Sequence, residues 1–106
     1  MTSTETITPT RDKTIPKIDE KVKKPSMYVV VVHNDPVTPR GFVVDVLQRY
    51  FRKNSEEAMK IMLLAHNYGF GAIATYTFEI AETKASLANT YSREQGYPLF
   101  FSIQDA

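Results

Sequence analysis

Hydrophobic positions fall into two regimes along the chain. Up to Pro25 they are isolated: Ile7, Ile15, Ile18 and Val22 lie scattered among Thr, Lys and Pro and follow neither a helical nor a strand period. Such a stretch buries too little apolar surface to offset the entropy of ordering it. Residues 1–25 are therefore expected to be a flexible extension and residues 26–106 a single compact domain. Composition leaves open whether the extension is idle or engages a partner.

Beyond Pro25 the periods become regular. Val29 to Val32 are consecutive β-branched residues, the composition of a strand covered on both faces. His33, Asn34 and Asp35 follow at once, Pro36 forbids further ladder pairing, and Thr38-Pro39 predicts a helix N-cap followed by proline at the first helical position. From Pro39 to Arg52, Val43, Val46, Leu47, Tyr50 and Phe51 recur at helical spacing. Asn54 with Glu57 three residues later resembles a capping box. It opens a second helix in which Met59, Met62, Leu63 and His66 share a stripe, placing His66 on the apolar face, and Gly69 ends it.

Ala72 to Phe78 alternates small and bulky residues and predicts a second strand. Thr77 can cap a third helix with a narrow stripe of Ala81, Ala85 and Ala88, stopped by Gly96 and Pro98. Leu99, Phe101 and Ile103 alternate as a last strand. The order β-α-α-β-α-β predicts a small α+β sandwich, a three-stranded sheet with the helices on one face.

Composition narrows the function classes. The chain of 106 residues has no cysteine, which removes disulfides, thiolate metal sites and cysteine nucleophiles and fits a cytoplasmic protein. No apolar run approaches the roughly 18 residues of a membrane span, and the start MTSTETITPT lacks the regions of a signal peptide. Neither a membrane nor export is expected. Net formal charge is +1, with six Lys/Arg against four Asp/Glu before Ser26 and seven against eight after it. A near-neutral domain without a basic stripe is a poor nucleic-acid binder, so no nucleic-acid partner is expected. The expected oligomeric state is a monomer.

Polar groups at the mouth of a buried strand mark a ligand site. His66 and Asp35 could pair as base and orienter, but no serine or cysteine stands out beside them as a nucleophile. His33, Asp35 and His66 are also the ligand types of a metal site with two histidines and one carboxylate. Alternatively, Asn34, Asp35 and His66 surround a small polar group while Val43, Met62, Ala65 and Leu99 form an apolar hollow, an arrangement suited to a cationic head with a hydrophobic side chain. Singly, each of these residues is also accounted for by packing or by an Asn34-Asp35-Pro36 turn.

Four stretches, VVHNDPVTPRGFVVDVLQRYF, IMLLAHNYG, FEIAETK and YPLFF, occur in order, and together they closely resemble the ClpS family. These are bacterial adaptors that bind N-degrons and deliver them to the AAA+ protease ClpAP. The resemblance covers residues 25–106. It implies a fold similar to the C-terminal domain of the ribosomal stalk protein and an adaptor without catalytic activity or cofactor. Its substrates would carry a first residue of Phe, Tyr, Trp or Leu.

By position, the resemblance assigns Asn34, Asp35 and His66 to the substrate's α-amino group. The side-chain pocket falls to Thr38, Val43, Met62, Ala65 and Leu99, with Val32, His33, Pro39 and Arg40 around it. Glu79 and Lys84 match residues that dock on the N-terminal domain of a ClpA-type or ClpC-type unfoldase, and the segment before Pro25 matches an extension used in delivery. Pro36 stands where many members carry a second acid, and Arg40 where members often carry a methionine closing the pocket rim. The alternatives are a paralogue that docks on the unfoldase with shifted or lost first-residue specificity, and a small metal-binding enzyme using His33, Asp35 and His66.

Overall fold

The computed structural model describes residues 26–106; the extension expected over residues 1–25 lies outside the described residues. The elements run β1 (Met27–His33), α1 (Arg40–Phe51), α2 (Ser55–Tyr68), β2 (Phe70–Thr77), α3 (Phe78–Glu94) and β3 (Phe100–Asp105). β1 lies at the centre of a three-stranded sheet of order β2-β1-β3, antiparallel to both neighbours. Its valine run follows from that position. Val30 and Val32 are wholly buried against the helices, and Val31, on the opposite side of the pleat, is buried as well. The helices cover one face, and the core joins Val30 and Val32 to Leu47, Ile73, Ala88 and Phe101.

Chain punctuation sets the helix ends. Asn54 and Glu57 form a reciprocal capping box at the start of α2. Gly69, with φ 95°, closes that helix through its N–H to the carbonyl of Ala65. α3 ends in a pair of bonds, Gly96 N–H to Arg93 and Tyr97 N–H to Ser92, with Gly96 at φ 85°. Beyond it, Asn89 on α3 donates to the carbonyl of Phe101 and accepts from its N–H. This pair of hydrogen bonds ties α3 to the second residue of β3.

Several expectations shift. Helix α1 begins at Arg40 with Pro39 as its N-cap, so proline precedes the first helical residue and Thr38 is not the cap. The cause is Asp35, whose carboxylate takes both the N–H and the hydroxyl of Thr38. Thr77 holds the N-cap position of α3 without a side-chain capping bond. β2 starts earlier, at Phe70, and Phe78 is the first residue of α3. Leu99 is buried just ahead of β3 rather than within it.

The largest correction concerns α2. Its buried stripe is Ala58, Ile61, Met62 and Ala65, one position back from the expected one, leaving Met59, Leu63 and His66 exposed. A Cβ at Gly71 on β2 would lie 2.8 Å from the carbonyl oxygen of Ile61. The backbone of α2 at Ile61 and Ala65 therefore rides close to the strand, and the face it turns there is the buried one.

That close approach is testable. Gly71→Ala should overpack the α2–β2 contact against backbone, costing about 2 kcal/mol and lowering Tm by about 10 °C. Urea and thermal unfolding check this, and a Tm within 2 °C of wild type, by the same scale, would show that α2 yields freely.

Candidate binding site

β1 delivers its last residue, His33, to the edge of the core and then leaves the sheet. Asn34 N–H reaches across to the carbonyl of Gly69 at 2.9 Å, tying the end of the strand to the C-terminus of α2. Asp35 then turns the chain, accepting from Thr38 N–H at 2.9 Å and from the Thr38 hydroxyl, a local side-chain-to-backbone turn that aspartate makes readily. These bonds bring three elements and one loop around a single hollow.

The hollow has a cavity of about 360 Å³, near the lower end of the usual range for small-ligand sites. Its floor is apolar: Val32, Val43, Met62, Ala65 and Leu99 are all buried, as is Thr38. Its mouth is polar and wet, with Asn34, Arg40 and His66 exposed and Asp35 half-buried. Arg40 Nη2 donates to His66 Nε2 at 2.9 Å. Because arginine has no acceptor, His66 Nε2 is the accepting partner in this contact. His33 turns toward the sheet, its Nε2 sharing a 2.7 Å hydrogen bond with the Ser102 hydroxyl and its ring 5.6 Å from that of Phe100.

The model of the family described as "ATP-dependent Clp protease adaptor protein ClpS" matches residues 23–102. The chain belongs to the ClpS family. The ClpS protein of Rhodospirillum centenum is 47% identical over 88 residues, covering 83% of this chain and 82% of its own. That of Shewanella halifaxensis is 41% identical over 100 residues, covering 91% and 98%. The solved structure of Agrobacterium tumefaciens ClpS2 bound to L-phenylalaninamide is 36% identical and superposes with a TM-score of 0.76, covering 78% of this chain and all of that one. The chain is thus a Clp protease adaptor with the α+β fold of that neighbour.

Every residue to which the resemblance gave an α-amino or pocket role lies around this one hollow. Pro36, which had no pocket role from the resemblance, and Val37, which the sequence did not single out, also line it, as a consequence of the Asp35–Thr38 turn. An Asp with a Thr three residues on was the available signal. The contact between Arg40 and His66 had no local signal, the two being 26 residues apart. The metal alternative finds no cluster: among the described residues no three His, Cys, Asp or Glu side chains group to hold a metal ion. His33, Asp35 and His66 instead bond to Ser102, Thr38 and Arg40 respectively. Of the docking pair, Glu79 is exposed in the first turn of α3. Lys84 is half-buried, its Nζ 3.1 Å from the Tyr50 carbonyl and 5.5 Å from the centre of the Tyr76 ring.

The turn that shapes the mouth rests on a buried hydroxyl. Thr38→Val should lose about 1–2 kcal/mol and Thr38→Ser much less, because the valine leaves Asp35 without its hydroxyl donor. Urea midpoints of the two variants check this; equal losses would assign the effect to the methyl group instead.

Proposed function

We propose that the hollow holds the first residue of a protein substrate and that the domain presents this substrate to a Clp ATPase. Asn34, Asp35 and His66 take the free α-amino group, and Val32, Thr38, Val43, Met62, Ala65 and Leu99 enclose a Phe, Tyr, Trp or Leu side chain. The observation that carries this is the pairing of an apolar floor with a polar mouth in one cavity of about 360 Å³. L-phenylalaninamide, the ligand of the Agrobacterium neighbour, has the matching chemistry of a free amine beside one aromatic side chain. The role is one of binding, with no step of catalysis.

The energetics require both halves. Burying one large apolar side chain contributes about 1.5–3 kcal/mol, and each hydrogen bond to a charged group a similar amount. Micromolar affinity corresponds to about 8 kcal/mol, after the entropy of association has been met. Side chain and amine must therefore act together.

The partner face is the far end of the sheet. Tyr28, near the start of β1, packs edge-on against Phe78 at 5.2 Å between ring centres, which sets the N-terminus of α3 beside that end of the strand. The seven residues of β1 separate it from the hollow by about 20 Å, so both can be engaged at once. Glu79 and Lys84, with Ile80 half-exposed between them, would dock the N-terminal domain of a ClpA-type or ClpC-type ATPase, and residues 1–25 would act in delivery.

Fluorescence anisotropy of short labelled peptides differing only in their first residue tests the pocket. Free Phe and Leu should bind, Met should bind weakly, and acetyl-Phe should lose at least about 100-fold, since acetylation removes the charge and adds bulk. Equal affinity for acetyl-Phe would overturn the assignment. Arg40→Met should alter the ranking of Leu, Ile and Val, because the arginine stem covers a different part of the rim; an unchanged ranking would remove Arg40 from side-chain selection. Removing residues 1–25 should leave peptide affinity unchanged while degradation by a Clp protease falls, and full degradation without them would exclude the segment from delivery.

A further inference from the structure

The mouth of the hollow carries a cation for which a bound first residue leaves no partner. Among the described residues lining the cavity, Asp35 is the one acid and Arg40 the one permanently charged cation. In this structure Arg40 donates to His66 Nε2 at 2.9 Å. An imidazole nitrogen offers one in-plane lone pair. An α-ammonium group that binds through that nitrogen must displace the guanidinium, and Asp35, already holding Thr38, then serves the ammonium. The displaced guanidinium stands at an exposed rim beside a second positive charge. Pro36, next on the rim, supplies neither a carboxylate nor an N–H.

With the first side chain in the hollow and its amine at the mouth, the peptide leaves past this rim, and the second residue is the first one outside. Resting on the first-residue function above, we propose that Arg40 reads the second residue of the substrate, favouring Asp or Glu there and disfavouring Lys or Arg. A second-residue carboxylate neutralises the charge left over when the ammonium pairs with Asp35, and it offers the guanidinium a two-pronged acceptor. Pro36 helps by omission, since a rim acid there would pair with Arg40 and repel such a substrate. The resulting substrate class is an N-terminus with a large apolar first residue followed by an acid.

The test is anisotropy with Phe-Glu, Phe-Ala and Phe-Lys peptides, together with acetyl-Phe-Ala, on the full chain and on Arg40→Met and Arg40→Glu. Exposed charge pairs shift affinity by a factor of about three to five each, so attraction and repulsion together predict a Glu-to-Lys preference of about tenfold. The ratio should shrink as salt is raised, vanish in Arg40→Met and invert in Arg40→Glu. If Phe-Ala binds and its acetylated form does not, yet Glu and Lys rank equally or keep their ranking in both variants, Arg40 does not read the second residue and the pocket stands. If acetyl-Phe-Ala binds as well as Phe-Ala, the first-residue function fails and this inference fails with it.

Discussion

Pairing of β1 along both of its edges is the constraint from which the site follows. The strand pairs with β2 along one edge and β3 along the other up to His33, and Val30 and Val32 are committed to the core. A chain so bound can change direction only at its end. There Pro36 prevents another ladder bond, and Asn34 turns its N–H to Gly69 instead. The C-terminus of α2 is thereby pinned to the mouth of the central strand, which carries His66 and Ala65 to the same place as Asp35. The hollow is the space that remains where strand, turn and two helices meet.

Two polar groups at that mouth, Asp35 and His66, are held in opposite ways. Asp35 is oriented by two bonds from Thr38 on the same turn, so its carboxylate is set before any ligand arrives and little ordering remains to oppose binding. His66 is held by Arg40 from another helix, through the same nitrogen that would face an incoming donor. One group is preorganised and the other is occupied. Pro36 and Arg40 both fall on this exposed rim, above the buried apolar floor. Differences in the rim act on the main chain and neighbouring residues of a ligand, and differences in the floor act on its buried side chain.

The α2–β2 contact shows how packing overrides a plausible period. Two helical stripes are present in α2, one starting at Ala58 and one at Met59, and they share Met62. The second is richer in large apolar residues. The first is buried, the face on which Gly71 lets the helix backbone at Ile61 and Ala65 approach the strand closely. One consequence is an outer face of α2 on which Leu63, Leu64 and Tyr68 remain largely exposed. Another is that His66 falls at the wet rim and not within the core.

Local order was legible from residues alone wherever the deciding interaction spans a few positions. The valine strand, the Asn54–Glu57 capping box, the stop at Gly69, the alanine stripe of α3 and the turn at Gly96 all follow from periods and caps written within one element. The four ordered family stretches also named residues around the hollow, by position within stretches whose order was readable. Tertiary structure decided what depends on distance between elements: which α2 stripe faces inward, that Asp35 rather than Thr38 shapes the start of α1, and that Arg40 meets His66 across 26 positions. A period states that a helix has an apolar face, but the depth at which that face packs is set by the backbone opposite. Here that backbone is a glycine on another strand.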